Sequence, residues 1–564
     1  MTDFAGAAAA PPHRAQALGP AFWCLLIGVA CIWFFTLDAR HLLKSDEGRY
    51  AEIAREMFVS GDWVTIRYNG LKYFEKPPFH LWMTVFAFKA FGIGEWQARL
   101  WVALSGAAGT VITAFAARRW FGLRVGLLTA MVLLATPAWN LGGHFNSLDM
   151  SVSGALACVL AGVLMAQHPQ TQKRARHRWM LFAWGAVAVA LLTKGLIGLV
   201  LPGLTLIVYS LLARDWQIWR RLSLGTGVLL MLVIATPWFV LVSVRNPEFP
   251  SFFFIHEHWQ RYTSIVHHRG APIWYFVPVL LAGFLPWTGL AWRMGTIVRR
   301  ERDCEGLRPV LLLAVWATTI FVFFSFSDSK LPGYVLPVFP ALAVLAALAL
   351  DKISTLAWNR YLLGMLAIVL LGLLGTPFMS RLGSDAAQGQ LFRSYEPWAA
   401  VAGLIAVSGL VLALYQNDRG QKLPSMTAAS LALYVAATVA LLGHETFGRG
   451  SSGVDLVAPM QAVLTKEMPI YSVRMLDHTL PFYLRRTTVM VEAPDELEFG
   501  TKQEPQKWLA TLAAFTAAWA SPRHALAIMS HDTYRTLSED HVYMEPIAED
   551  ARRVVVANFP KAPS

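Results

Sequence analysis

Apolar runs recur along three quarters of this chain with only short polar loops between them, and no soluble core absorbs so many. A membrane-spanning helix needs about 20 mainly apolar residues. Runs of that kind occupy residues 21–37, 96–117, 124–141, 148–167, 179–192, 195–212, 222–244, 273–294, 308–325, 332–350, 361–379, 397–415 and 426–442. They predict about thirteen spans and a mainly α, polytopic membrane protein. Of the 564 residues 55% are hydrophobic and only 15% charged, with a mean hydropathy of +0.45, the composition such a protein requires. The runs 179–192 and 195–212 are separated by Thr193 and Lys194 alone, which predicts a tight helical hairpin.

Loop charge orients the chain. Alternate loops read RRWFGLR, QKRARHR, ARDWQIWRR, RMGTIVRRERDCEGLR, DKISTLAWNR and QNDRGQK, all short and basic, as cytoplasmic loops are. The other set, 38–95, 142–147, 245–272, 326–331 and 380–396, is longer or less basic. These basic loops account for much of the net charge of +12, so it is no argument for nucleic-acid binding. An odd number of spans puts the loop 38–95, Asp149, Lys194, the loop 245–272 and the C-terminal segment on one outer face.

The chain divides into a disordered cytoplasmic tail (1–20), a transmembrane catalytic region (21–443) and a C-terminal segment (444–564). The run 21–37 has no small-residue cleavage site and reads as a retained span. In the C-terminal segment, strand-like PIYSVRM, TTVMVEA, HALAIMS and RVVVANF alternate with helix-like EPQKWLATLAAFTAAWA, the pattern of a small α/β domain. Cys24, Cys31 and Cys158 lie in apolar runs and Cys304 in a basic loop, so this domain has neither a disulfide framework nor a CxxC motif.

The stretch 45–82, SDEGRYAEIAREMFVSGDWVTIRYNGLKYFEKPPFHLW, concentrates acids, bases and aromatics beside the first span. Tyr50, Ile53, Ala54 and Met57 recur at helical spacing, predicting an amphipathic helix lying on the membrane. Asp46 is a candidate catalytic carboxylate; its plainer role, with Ser45, is helix capping. Glu47 fits first-turn dipole chemistry. Lys76 is held extended by Pro77 and suits a phosphate, or else snorkels to headgroups; Tyr73 and Glu75 crowd it.

Further along, Asp149 opens a span, where an acid needs a partner or a cavity unless it caps the helix. Lys194, before Gly195, either meets an anion or only marks the interface. In EFPSFFFIHEHWQRYTSIVHHRG, Arg261 can grip phosphate or pair with Glu257 four residues back. His256 and His258 with Glu75 can hold zinc, though no third ligand is evident within the HEH motif itself. Asp328 and Lys330, in SFSDSKLPGYVLPVFP, read as a paired loop couple.

Taken together, the DE and EKPP of the first outer loop, Asp149, TKG and KLPGYVLPVFP resemble the bacterial lipid A aminoarabinose transferases (ArnT), relatives of the protein O-mannosyltransferases with the GT-C fold. The resemblance covers the whole chain. It implies transfer of 4-amino-4-deoxy-L-arabinose from undecaprenyl phosphate to a lipid A phosphate, at the periplasmic face of the bacterial inner membrane, by a monomer with no required cofactor. It makes Asp46 and Asp149 the essential acids and Lys76 a ligand of the carrier phosphate. It also places Tyr73, Glu75 and Arg261 near the site, with Lys194, Glu47, Tyr50 and His256 as further candidates. Two other readings stay open: a transferase with another sugar or a protein acceptor, and a lipid-linked sugar flippase. Internal repeats and mid-span charges, marks of a transporter, are missing from the sequence.

Overall fold

The computed structural model describes residues 20–260, 271–301 and 306–560. Every one of the thirteen apolar runs lies on helix, but they are not thirteen equal spans. Among the described residues eight helices are long and apolar enough to cross a membrane unaided, including Glu95–Phe121, Leu148–Gln167 and Leu224–Arg245. Two more runs form helix pairs bent by 64° (Leu123–Leu134 with Pro137–His144) and 100° (Phe276–Gly283 with Trp287–Arg300). The other three fall short alone: Trp23–Asp38 and Ile197–Ala213 are short, and Lys173–Lys194 opens on KRARHR. Lys173–Lys194 and Ile197–Ala213 do form the expected hairpin, packed together around Gly195, whose φ of +81° excludes most side chains.

Burial sorts the bundle. Leu148–Gln167 is 94% buried along its apolar window and runs through the middle, whereas Thr355–Leu382 is only 17% buried and leaves its leucines facing outward, as a lipid-facing helix does. Three fully buried tryptophans each find a partner for the indole N–H. Trp139 donates to Thr110 Oγ1 (2.9 Å), Trp287 to Val132 O (3.1 Å) and Trp358 to Ser425 Oγ (2.9 Å), because an unbonded N–H in an apolar interior is costly.

The C-terminal part carries a five-stranded sheet. Ile470–Val473 pairs in parallel with Val489–Val491 on one side and Leu526–Met529 on the other; Val554–Ala557 and Glu545–Glu549 extend it antiparallel. Alternate side chains feed two cores: Ile470, Leu526, Ile528 and Val555 on one face, Val473, Ala527, Met529 and Val556 on the other. The strand Glu545–Glu549 is not legible in the sequence, since EPIAE has one large apolar residue, Ile547, beside a proline.

This C-terminal part caps the loop 38–95 and corrects one expectation. The helix Asp46–Ser60 does not lie on the membrane; ten of its 15 residues are buried. Gly48 lies against the His478 carbonyl and Thr479, where a Cβ would collide. Around it, Tyr68 Oη meets His478 Nδ1 (2.7 Å), and the Thr488 amide donates to Asn69 Oδ1 (2.7 Å). Tyr483 Oη donates to Glu95 Oε1 (2.6 Å) while accepting from the Leu42 amide (2.8 Å).

Candidate active site

Asp149 and Lys194 come together first. Leu148–Gln167 presents Asp149 in its first turn, and Lys173–Lys194 ends on Lys194; the two side chains form an ion pair. Ser147, not Asp149, stands at the N-cap, so capping is not what Asp149 does. The Lys194 ammonium also sits 4.5 Å above the Tyr334 ring. Gly333 precedes that tyrosine because the Asp149 carboxylate occupies the place of any Cβ there. The KLPGY motif thus supplies both the clearance and the aromatic wall.

Lys76 reaches the same place from the first outer loop. Its ammonium donates to Glu75 O (2.9 Å) and to Glu257 Oε2 (3.4 Å), with Glu75 Oε2 at 3.9 Å. Glu75, Lys76, Lys194, Glu257, Ser329 and Tyr334 line one cavity of about 290 Å³. Its lower wall is apolar, formed by Ile197, Val200, Phe323 and Phe324. Phe323 also borders a second hollow of about 400 Å³ between two bundle helices, lined by Leu204, Val208 and Leu212 on one and Leu311, Val315 and Val322 on the other. A chamber holding two lysines and two glutamates therefore adjoins an apolar groove, with Phe323 between them.

Asp46 is not in that lining but in a polar group adjoining it through Glu75. Its carboxylate is 41% exposed and lies 3.5 Å from Arg49, and Ser45 makes no side-chain cap. Buried Arg49 donates to Glu496 at 2.7 Å, so the C-terminal part contributes a carboxylate here that sequence reasoning missed. Burial pushes Glu496 up to about 8; Arg49 opposes this, and the carboxylates of Glu75, Asp495 and Asp46 add to it. Tyr73 and Tyr50 are buried in the same group, Tyr50 edge-on to His80 at 5.6 Å. The Tyr73 hydroxyl has no hydrogen-bond partner among the described residues, the condition of a group left for a ligand.

Glu47 has a different place from Asp46. It is buried between Arg99 (2.8 Å) and Arg40 (3.8 Å) and accepts from the Leu43 and Asn146 amides. Although burial alone would raise it, these partners pull Glu47 down to about 2. It is an anchor of the outer loop, well beyond first-turn dipole chemistry. Asp328 and Lys330 are not a couple either: Asp328 is exposed, while Lys330 is buried and donates to Ser327 O (2.5 Å).

His256 lies 3.5 Å from Glu257, and that carboxylate holds the imidazole above its ordinary value. Arg261, Cys304 and the side chain of His258 lie outside the described residues. Among those described, no group of three His, Cys, Asp or Glu side chains is placed to hold a metal.

Comparison with known proteins gives the family. Residues 75–240 match the dolichyl-phosphate-mannose-protein mannosyltransferase family, and residues 456–558 match the aminoarabinose transferase C-terminal domain. The chain is 30% identical over 405 residues to the undecaprenyl phosphate-alpha-4-amino-4-deoxy-L-arabinose arabinosyl transferase of Serratia proteamaculans, covering 69% of this chain and 70% of that protein. The crystal structure of ArnT from Cupriavidus metallidurans bound to undecaprenyl phosphate superposes with a TM-score of 0.92 at 51% identity, over 96% of this chain and 99% of that one. An archaeal oligosaccharyltransferase from Archaeoglobus fulgidus, 12% identical, matches 90% of this chain and 70% of its own with a TM-score of 0.50, a likeness of fold alone. The chain is a multi-pass membrane glycosyltransferase and belongs to the aminoarabinose transferase family.

Proposed function

We propose that this chain moves 4-amino-4-deoxy-L-arabinose from undecaprenyl phosphate to a phosphate of lipid A, as a monomer at the periplasmic face of the bacterial inner membrane. One observation carries the reading: Lys76 and Lys194 share a cavity whose wall continues as an apolar groove. A polyprenyl-phosphate sugar has that same division, an anionic head on a long hydrocarbon chain. The name of the Serratia relative and the ligand of the Cupriavidus structure support the same donor.

The bond between the sugar C1 and the carrier phosphate oxygen breaks with its electron pair going to the phosphate, and C1 bonds to an acceptor phosphate oxygen. The developing charges are an oxocarbenium-like sugar and a growing phosphate dianion. Lys76 and Lys194 meet the second of these from the cavity wall. The acceptor needs no strong base, since a phosphate monoester with its second pKa near ~6 is already mostly doubly ionised at pH 7. Asp46 then serves to orient the aminosugar through its ammonium group, and Asp149 holds Lys194 against Tyr334. The Tyr73 hydroxyl takes a sugar hydroxyl.

Purified full-length chain incubated with lipid-linked aminosugar and lipid A tests this. Mass spectrometry shows lipid A gaining one aminopentose; glycosylation of a protein hydroxyl, or transport without transfer, would replace the reading. The mechanism runs on side chains alone, so EDTA leaves turnover unchanged. A loss restored by zinc would instead add a metal at Glu75, His256 and His258.

A further inference from the structure

A second cavity lies at the other end of the helix Asp46–Ser60. Arg55 and Glu56 stand roughly 15 Å further along its axis than Asp46. The cavity, of about 380 Å³, is lined by Arg55, Glu56, Arg67, Arg485, Arg486 and Thr487, with Val59 and Ser60 at its edge. Four guanidinium groups from three separate segments thus converge on one hollow. That arrangement repels itself unless something anionic lies among them.

The protein supplies only part of that anion. Arg55 is 94% buried by side chain and forks onto Glu52 through Nε (2.6 Å) and Nη2 (2.7 Å). Its Nη1 has no hydrogen-bond partner among the described residues. Arg67 pairs with Glu504 at 3.0 Å. Glu56 is turned to the Asn69 and Gly70 amides, which it accepts at 2.5 and 2.8 Å. Arg485 and Arg486 meet no carboxylate among the described residues. Arg485 donates to Ile93 O at 3.4 Å, and Arg486 to Thr465 O and Met468 O at 2.8 and 2.7 Å. Arg485 is also held at a φ of +56°, an arrangement a non-glycine residue keeps only where its surroundings enforce it.

Among the described residues Val59 is the one apolar residue lining the hollow, and its helix and the neighbouring one expose further apolar side chains. Phe58 and Val59 on this helix are 37% and 67% exposed, and Phe86 and Phe91 on the neighbouring Phe79–Phe91 are 52% and 58% exposed. Exposed aromatic side chains beside arginines are the pattern of a membrane interface.

We propose that this hollow is a second anion site, which binds a phosphate group apart from the transfer cavity. Guanidinium forks match the oxygens of a phosphate in pairs, and the two arginines that meet no carboxylate, Arg485 and Arg486, favour a doubly charged monoester over a diester. The phosphate comes either from a lipid headgroup or from solution.

Native mass spectrometry of the full-length, detergent-solubilised chain tests the site, with phosphatidic acid and inorganic phosphate as probes. Lys76→Ala combined with Lys194→Ala serves as the parent so that neither lysine of the transfer cavity contributes. The parent retains one phosphatidic acid, and Arg485→Glu lowers that occupancy at least tenfold, while Arg485→Lys restores most of it. Retained lipid that millimolar inorganic phosphate cannot displace identifies a headgroup site; ready displacement identifies a site for free phosphate. Equal occupancy in the parent and in folded Arg485→Glu, verified by an unchanged melting temperature, overturns the proposal.

Discussion

Asp46 and Glu47 are adjacent acids on one helix, and the structure uses them in opposite ways. Glu47 points into the protein, where Arg99, forked onto both oxygens, and two backbone amides saturate its carboxylate, with Arg40 at 3.8 Å. Asp46 points out, 41% exposed, with one arginine at 3.5 Å. The same contrast separates Arg99, fully buried against Glu47, from Lys194, which lines a cavity. Where every lone pair is filled, a charge holds the fold. Where capacity is left over, it is available to a ligand.

That comparison predicts different failures. Glu47→Ala leaves Arg99 buried without its carboxylate, which costs about 3–5 kcal/mol. The variant is expected to melt well below the wild type and to accumulate poorly, by fluorescence-detected gel filtration of solubilised membranes. A variant as stable as wild type would show that Arg99, through its bonds to the carbonyls of Leu37 and Arg40, suffices alone.

Lys76→Ala and Asp149→Asn lie on the other side of the contrast. Each is expected to fold with an unchanged melting temperature and to lose turnover. Losing one preorganised group aimed at developing charge costs roughly 10²–10³ in kcat. For Asp149→Asn the loss arises because Lys194 is no longer held over Tyr334. Single-turnover rates with lipid-linked aminosugar measure both, and a variant that loses stability instead would move its residue into the Glu47 class.

Asp46→Asn gives a smaller effect with a sharper diagnosis. If Asp46 orients an ammonium group, the variant loses about tenfold in kcat/KM, one hydrogen-bonded charge being worth ~1.5–3 kcal/mol before solvent screens it. Its pH–rate profile then keeps the shape of the wild type. Recovery of turnover at high pH would instead make Asp46 a general base, and the acceptor a group that needs deprotonation.

Much of this was legible in the chain itself, for a physical reason. Apolar runs and loop charge are local signals, so the helices and the common face of Asp149, Lys194 and Lys76 followed from them. KLPGY was legible as a motif, but not that Gly333 makes room for Asp149, because that is a contact between helices. The helix Asp46–Ser60 was misplaced onto the membrane because its apolar stripe is the same whether lipid or protein covers it. What covers it is the C-terminal part, more than 400 residues away in sequence, and nothing local to DELE marks Glu496 as the partner of Arg49.

Glu496 therefore gives the most discriminating test, through pH. Its ordinary value of 4.5 rises to about 8 in the folded chain. Below the lower value the carboxyl is protonated in both the folded and unfolded chain, and pH leaves stability unchanged. Between the two the unfolded chain has released a proton that the folded chain keeps, so folding is progressively penalised as pH rises, and the penalty is complete above about 8. Wild type should lose melting temperature relative to Glu496→Gln as pH goes from 5 to 8, since glutamine keeps a hydrogen bond to Arg49 without titrating. Parallel curves for the two proteins would mean that Arg49 keeps Glu496 ionised throughout. The polar group around Asp46 would then be a saturated ion pair of the Glu47 kind, and the boundary drawn between the two neighbouring acids would have to move.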